Sequence, residues 1–466
     1  MTLADHTSDP PPARTARPVV ARLHFYAGIL IAPFLIVAAV SGALYALAPT
    51  LERLVYDDIL FVPERGQPLP LAAQVSAAQT VFPHLAVSGL RPPNSPTEST
   101  RIYVADPTLD EELSRAVFVD PYTGRVLGDE PTWFGALPVS TWLDGLHRHL
   151  HLGEPGRLYS EIAASWLWVV ALGGLYLWLG KAVRDRRRGR TGRVLTVDRS
   201  AKGRLRTLNW HGATGVWLLI GLLFLSATGI TWSTYAGARI GDIRTALGWQ
   251  RPQLNDHHSA AHLEGTDHTA IDPASIDYAA VLATAAHAGV HLPAEISLPA
   301  EAGHALTVTE IDKAYRWTTN AVAIDPATTA VVGEIDYWRD YSTMAKLADW
   351  GIRAHMGFLF GLLNQLLLLT VALGLLAVIV AGYRMWWQRR PTRGARWTLG
   401  RPPSRGALRR LSPPVIGALT LTAVAVGWFL PLFGLTLAAF VAVDLTIGAV
   451  KHRRSKSSAT KGVSHV

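Results

Sequence analysis

Four histidines lie at or near the start of four long apolar segments. They are His24 in RLHFYAG, His151 in HRHLHLG, His211 in NWHGATG and His355 in IRAHMG. Placing an ionisable side chain at a membrane helix costs free energy, so such a residue is a functional-site hypothesis by default. The chain contains no cysteine, which leaves histidine as the obvious protein ligand for a transition metal or a haem iron.

The four histidines form two repeated sets. His24 and His211 are 187 residues apart, and His151 and His355 are 204 residues apart. Both halves run in the same sense, as parallel repeats about an axis near the membrane normal do, so symmetry pairs the members of each set. Two imidazoles that face each other across a helix bundle suit a six-coordinate haem iron. The sequence therefore predicts two haems, one near each membrane surface, that conduct electrons from inside to outside.

The choice of ligand beside His151 stays open. His147 lies four residues earlier and hence on the same helical face, so it is either the true ligand or a hydrogen-bonding group near the haem. His149 points elsewhere and is expected to be structural. A single histidine at a membrane surface is also commonly an interfacial anchor, but the symmetric placement of four favours ligation.

Arginines accompany both histidine sets. Arg148 and Arg353 neighbour the outer set and could bind haem propionates, because guanidinium groups suit carboxylates. Arg22 and Arg206 neighbour the inner set. Ordinary contact with the cytoplasmic membrane surface explains these two arginines better.

The composition indicates a polytopic α-helical membrane protein. The 466 residues are 49% hydrophobic and 17% charged, and several apolar runs are long enough to cross a bilayer. The net charge of +9 comes from arginines and lysines in short loops beside the apolar runs. That placement follows the positive-inside rule, predicts cytoplasmic N- and C-termini, and argues against nucleic-acid binding.

The order of span, soluble module and span occurs twice, which predicts a four-helix haem bundle of duplicated, histidine-headed helix pairs. The predicted segments are 1–21 (disordered cytoplasmic tail), 22–48 (first span), 49–140 (first extracytoplasmic module), 141–180 (outer histidine segment and second span), 181–207 (basic cytoplasmic loop), 208–234 (third span), 235–340 (second extracytoplasmic module), 341–388 (outer histidine segment and fourth span), 389–410 (basic cytoplasmic loop), 411–450 (apolar C-terminal region) and 451–466 (cytoplasmic tail).

Two prolines refine this organisation. Pro33 lies inside the first span and should kink it, which neighbouring helices can absorb. Pro431 lies near the middle of residues 411–450, which have basic residues at both ends. This region is predicted to form a membrane hairpin with both ends inside. A single long tilted helix is the alternative.

Each soluble module is predicted to have an α+β fold, with one helix followed by a small antiparallel sheet. Helical spacing at residues 71–82 and 276–289 precedes β-rich runs, with turns at Asp120-Pro121-Tyr122-Thr123-Gly124 and at Asp325-Pro326. We expect the two modules to form a cleft above the outer haem.

Other polar residues are weaker candidates. A histidine-rich run could bind a metal loosely, but its irregular spacing favours a flexible linker; it contains His257, His258, His262 and His268, with Asp256, Glu264 and Asp267. Asp444 in the last apolar region could be a proton site, although a hairpin contact explains it better. The sequence has no P-loop, HExxH, GxSxG or dinucleotide-binding motif, so the electron donor should be external, either quinol or a cytoplasmic reductase.

The ordered histidine-headed spans and the two Asp-Pro turns resemble the PepSY-associated transmembrane family over about residues 20–390. That family includes iron-regulated inner-membrane proteins and ferric-siderophore reductases, which implies a bacterial cytoplasmic (inner) membrane for this chain. The resemblance implies haem b held by His24, His151, His211 and His355, and reduction of a ferric siderophore, or another Fe(III) chelate, at the outer face. The second half has Gly351 in the place of His147, and its Asp-Pro turn lacks the glycine of the first.

A second hypothesis comes from another class of protein. PepSY modules also occur as peptidase-inhibitory or binding modules, so the chain could be a membrane-anchored binding or regulatory protein without a redox role. Haem or metal transport is a third alternative, but no broken helix at the membrane midplane supports it.

Overall fold

The computed structural model describes residues 16–254, 272–299, 304–390, 403 and 411–463. The chain forms two compact units. The helical unit comprises Met1–Val40, Leu152–Ile240 and Val371–Val466, and the sheet unit comprises Ser41–His151 and Gly241–Thr370. Each unit thus takes segments from both halves of the sequence.

Fifteen α-helices lie in the described residues: α1 Arg17–Leu30, α2 Ala32–Ala46, α3 Ala48–Val55, α4 Asp57–Leu60, α5 Leu71–Val81, α6 Pro138–His149, α7 Glu154–Arg187, α8 Gly203–Thr231, α9 Tyr235–Ala246, α10 Tyr278–His287, α11 Tyr337–Asp340, α12 Thr343–His355, α13 Gly361–Trp387, α14 Pro413–Phe429 and α15 Pro431–Val463. The strands of the same residues are β1 Val87–Arg91, β2 Thr100–Val104, β3 Ser114–Val119, β4 Val126–Thr132, β5 Ala294–Ser297, β6 Leu306–Glu310, β7 Ala321–Ile324 and β8 Val331–Ile335.

Apolar helices make this a membrane protein. Within the part of the chain that is described, four helices are long and apolar enough to cross a bilayer: α7, α8, α13 and the Pro431–Val450 part of α15. The pair α1 and α2 also qualifies, with a bend of 57° between them. Pro33 lies in the first turn after this break. Its ring clashes with the carbonyl four residues earlier, which explains why the helix bends here. The predicted kink in the first span is therefore confirmed.

The C-terminal apolar region forms two helices that pack against each other. The break between α14 and α15 is at Leu430, directly before Pro431. Gly427 and Gly434 meet at this corner, where a Cβ on Gly434 would lie 2.7 Å from the Cα of Gly427. Only glycines allow such an approach. The alternative of one continuous helix is not what the structure contains.

The strands form one antiparallel sheet of eight strands, in the order β4-β3-β2-β1-β5-β6-β7-β8. Each module has the predicted helix followed by antiparallel strands, but the two small sheets are joined into one, because the first strands of the two modules pair with each other. In this seam Gly89 lies opposite Ser297, Leu90 lies opposite Ile296, and the amide of Leu298 donates to the carbonyl of Ser88 at 2.9 Å. Unpaired strand edges attract such partners, whereas alternating hydrophobicity identifies a strand but not its neighbour.

Both modules share one hydrophobic core on one face of the sheet. Helices α5 and α10 lie on this face, and the core runs through Val75, Val281, Leu90, Ile296 and Ile324. The seam also needs a glycine, since a Cβ on Gly89 would lie 2.6 Å from the carbonyl oxygen of Ile296. The two halves of the sheet are therefore one structural body.

The two Asp-Pro turns share hydrogen bonds from the turn amides to the aspartate, but they differ in the residue at the left-handed position. The carboxylate of Asp120 accepts from the amide of Tyr122 at 2.9 Å, and that of Asp325 accepts from the amide of Ala327 at 2.8 Å. Gly124 has φ +72° in the first turn, and Thr329 has φ +56° in the second. A β-branched residue is strained in this left-handed region.

Candidate functional site

The structure brings His24 and His211 together in the helical unit. His24 lies on α1 and His211 on α8, and their ring centroids are 6.2 Å apart with the planes at 76°. We call these two residues the first pair. Repeat symmetry predicted this pairing, and the structure places the two rings as predicted.

Backbone carbonyls orient both rings of the first pair. Nδ1 of His24 lies 3.1 Å from the carbonyl oxygen of Val170, and Nδ1 of His211 lies 2.9 Å from that of Val378. A carbonyl oxygen can only accept, so each Nδ1 carries the hydrogen and each neutral ring has its lone pair on Nε2. This is the arrangement in which a second hydrogen bond orients a metal-ligating histidine.

Glycines lie beside both rings. A Cβ on Gly174 would lie 3.1 Å from Cε1 of His24, and one on Gly382 would lie 3.6 Å from Cε1 of His211. Four residues after each histidine, on the same helical face, a Cβ on Gly28 or Gly215 would meet no atom within 4 Å. The first pair therefore has small residues around it in both repeats.

The sheet unit contains a second histidine pair, formed by His147 of α6 and His355 of α12. Their ring centroids are 6.4 Å apart with the planes at 44°. Helix α2 contributes Ser41, whose Oγ lies 2.9 Å from Nδ1 of His147, and Tyr45, whose ring is nearly parallel to that of His147 at 6.2 Å. We call His147 and His355 the second pair.

Burial keeps the second pair uncharged. Desolvation lowers the pKa of His147 to about 4. Desolvation, together with the charge of His147, lowers the pKa of His355 to about 3. Both imidazoles are therefore neutral near pH 7, which is the protonation state that binds a metal.

His151 lies away from the second pair. Helix α6 ends at His149, and the next two residues, Leu150 and His151, have φ of +56° and +53°. This turn directs the exposed His151 to Trp142, whose carbonyl oxygen lies 3.0 Å from Nε2. Of the two ligands that the sequence left open, the geometry favours His147. The ring of His149 meets that of His151, at 5.7 Å, rather than His355.

The repeat register explains this choice. His147 and His355 are 208 residues apart, and so are Val170 and Val378 and also Gly174 and Gly382. The short shared motif His-(Leu/Met)-Gly suggested a separation of 204 residues and so pointed to His151. The signal for 208 is the recurrence of valine and glycine inside the following span, which the shorter motif obscures.

The predicted arginines have protein partners. Arg353 is buried, with Nε 2.7 Å from Asp312 and Nη2 2.7 Å from the carbonyl oxygen of Arg316. Arg148 is partly exposed and lies 3.3 Å from Asp144. Their binding of propionates stays a prediction.

Arg22 and Arg206 differ in their surroundings. Arg22 is buried, forms an ion pair with Asp444 and donates to the carbonyl of Pro403 at 2.6 Å. This ion pair joins α15 to α1, so it is not the contact within the C-terminal hairpin that was expected for Asp444, and the membrane-surface contact expected for Arg22 was wrong because Arg22 is buried. Arg206 is exposed.

A buried carboxylate in α7 was not singled out from the sequence. Glu161 is 1% exposed, and its two oxygens accept from the amides of Tyr235 and Ala236, each at 3.1 Å. These amides are at the start of α9, so Glu161 satisfies a helix N-terminus inside the helical unit. Its role is structural.

Within the described part of the chain, neither pair belongs to a larger cluster of histidine, aspartate or glutamate side chains. Among the described residues, no group of three or more histidine, aspartate or glutamate side chains could hold a metal ion. The histidine-rich run from Asp256 to His268 lies outside the described residues.

Comparison with known proteins identifies one family. The family model described as the PepSY-associated TM region matches residues 21–389. The match includes both histidine pairs and the whole sheet, and it ends before α14. None of the curated proteins matches the chain.

Proposed function

The chain belongs to the PepSY-associated TM family, and from that premise we propose that it is a transmembrane di-haem b protein that reduces Fe(III) in a ferric siderophore or a similar chelate. Electrons enter from quinol or a cytoplasmic reductase and leave at the extracytoplasmic face of the bacterial cytoplasmic membrane. The N- and C-termini are then cytoplasmic, in keeping with the basic loops.

The spacing of the two histidine pairs carries the proposal. A metal–imidazole bond of about 2.0 Å, and roughly 1.1 Å from the nitrogen to the ring centre, separate two imidazole centroids on opposite sides of one iron by about 6.2 Å. The centroids are 6.2 Å apart in the first pair and 6.4 Å apart in the second. Both separations would allow the two imidazoles of a pair to hold one haem iron between them.

The donor set also fits a haem. Each pair supplies two nitrogen ligands, and the described residues offer no third or fourth protein ligand beside them. A porphyrin provides four nitrogens of its own, so two histidines complete six-coordination. The glycines Gly28 and Gly215, where a Cβ would meet no atom within 4 Å, are the kind of residue that a flat macrocycle beside the first pair requires.

The residues of the chain have defined tasks in this proposal. His24 and His211 would hold one haem, and His147 and His355 would hold the other. The carbonyl of Val170 fixes the ring of His24, and that of Val378 fixes the ring of His211, each with Nε2 as the ligating nitrogen. When bound, haem b supplies a one-electron Fe(III)/Fe(II) couple at each pair.

The substrate chemistry requires only one electron. Siderophores hold Fe(III) with hard oxygen donors, which bind Fe(II) far more weakly. One electron from the donor converts the chelated Fe(III) to Fe(II), and the chelator leaves intact. No bond of the siderophore breaks, so the protein has to deliver the electron and position the chelate.

Optical spectroscopy of the purified protein tests the proposal. We expect two haems per chain and a reduced-minus-oxidised spectrum of a b-type cytochrome. The variants His24→Ala, His211→Ala, His147→Ala and His355→Ala should each lose one haem. His151→Ala is the matched control and should keep both, since His151 lies outside the pairs.

Activity is measured on the same preparations. Protein in proteoliposomes, reduced from one side, should release Fe(II) from ferric siderophore to a coloured Fe(II) chelator on the other side. A colourless protein from haem-replete cells would overturn the proposal and favour the membrane-anchored binding protein.

A further inference from the structure

Three residues of α2 lie beside the ring of His147. The hydroxyl of Ser41 lies 2.9 Å from Nδ1, a Cβ on Gly42 would lie 3.0 Å from Cε1, and the ring of Tyr45 lies parallel to the imidazole within 13°. Ser41 is 3% exposed. The imidazole is therefore held along one edge by a side-chain hydroxyl, whereas backbone carbonyls perform this task in the first pair.

The direction of the hydrogen bond follows from ligation. A neutral imidazole that binds a metal through Nε2 carries its hydrogen on Nδ1. In that state Nδ1 of His147 donates and the hydroxyl oxygen of Ser41 accepts. An acceptor at this position makes the imidazole a stronger electron donor to the metal and fixes its rotation. A stronger donor stabilises Fe(III) relative to Fe(II).

We infer that Ser41 is the positioning residue of His147 and sets the reduction potential of the second pair's haem through that hydrogen bond. The inference rests on the proposed function. The hydroxyl of Ser41 can be removed by mutation, whereas the backbone carbonyls of Val170 and Val378 cannot. Ser41 thus offers a direct means to change one centre without changing the other.

The test is a redox titration of the haem-loaded full chain in lipid nanodiscs. The titration of the wild type should resolve two components, and His147→Ala should remove the one that belongs to the second pair. In Ser41→Ala we expect two haems per chain, with this component about tenfold easier to reduce, which is about 59 mV for a one-electron couple. The component of the first pair should not change.

Three further variants sharpen the measurement. Ser41→Thr keeps the hydroxyl, so the reduction equilibrium of the second pair's haem should stay within about twofold of that in the wild type. Ser41→Cys keeps the volume but offers a weaker acceptor, so its potential should lie between those of the wild type and Ser41→Ala. Ser76→Ala removes an exposed hydroxyl that donates to the carbonyl of Ala72 within α5, and it should leave both components unchanged.

The outcomes separate this inference from the proposed function. A wild type with two haems, and unaltered potentials in both Ser41→Ala and Ser41→Cys, would overturn the role of Ser41 and leave the di-haem assignment intact. A wild type without haem would overturn both. If Ser41→Ala does not fold, Ser41→Cys decides, and a potential equal to that of the wild type counts against the inference.

Discussion

The hydroxyl of Tyr383 donates a hydrogen bond, at 3.1 Å, to the carbonyl oxygen of Ile29. Ile29 is four residues before Pro33, so its carbonyl is the group that proline leaves without an intrahelical partner. Inside a membrane an unsatisfied carbonyl is expensive, and a neighbouring helix has to supply the donor. Tyr383 of α13 supplies it to α1, within the helical unit.

Removing this donor should lower stability. We expect Tyr383→Phe to destabilise the protein by about 1 kcal/mol, because it leaves the carbonyl of Ile29 unsatisfied. Tryptophan fluorescence during heating, in one detergent, should show a melting temperature a few degrees lower. Tyr176→Phe, at a position 46% exposed in α7, is the matched control. Equal melting temperatures for both variants would contradict the prediction.

Filling the side of α1 next to His24 should remove one haem without unfolding the chain. A Cβ on Gly28 meets no atom within 4 Å, so Gly28→Leu should still fold, although the loss of a bound haem would lower its melting temperature. If a macrocycle lies beside His24, the leucine competes with it, and haem content should fall from two per chain to one. Gly417→Leu in α14, also without atoms within 4 Å, should keep two. Two haems in Gly28→Leu would place the macrocycle elsewhere.

Replacing the strained threonine of the second Asp-Pro turn should stabilise the protein. Thr329 has φ +56°, which costs a β-branched residue about 1–2 kcal/mol. Glycine removes this strain but loses more backbone entropy on folding, so we expect a net gain of about 0.5–1 kcal/mol for Thr329→Gly in thermal unfolding. Thr328→Gly is the matched control and should destabilise the turn, because the hydroxyl of Thr328 accepts from the amide of Ala330. Loss of stability in both variants would disprove the strain.

Opening the seam of the sheet should expose the backbone of two strands. In Gly89→Ala the new Cβ would lie 2.6 Å from the carbonyl oxygen of Ile296, so β1 and β5 have to move apart. Hydrogen exchange should become at least tenfold faster in peptides that cover Val87–Arg91 and Ala294–Ser297. Ser88→Ala keeps the backbone bond to Leu298 and serves as control. Unchanged exchange in Gly89→Ala would mean that the seam tolerates the methyl group.

Much of the helical architecture follows from the sequence, because hydrophobic length and basic loops identify membrane helices almost independently of tertiary contacts. The pairing of His24 with His211 was accessible for the same reason, since both residues have the same place in a repeated helix. Pro33 and Pro431 likewise mark breaks through their local chemistry.

The remaining features depend on local backbone geometry or on contacts between distant residues. The preference for His147 over His151 depends on where α6 ends, and the positive φ of Leu150 and His151 is a local detail that the motif does not encode. The bond between β1 and β5 joins segments about two hundred residues apart. The contact of Ser41 with His147 depends on the packing of α2 against α6. A serine in an apolar helix does not by itself indicate such a contact.

Helix α6 follows β4, and helix α12 follows β8 after the short helix α11; β4 and β8 are the two edge strands of the sheet. The two imidazoles of the second pair therefore lie on helices that continue from opposite edges of one sheet. If this pair binds an iron as proposed, a ligand that changes the shape of the sheet would also change the surroundings of that iron.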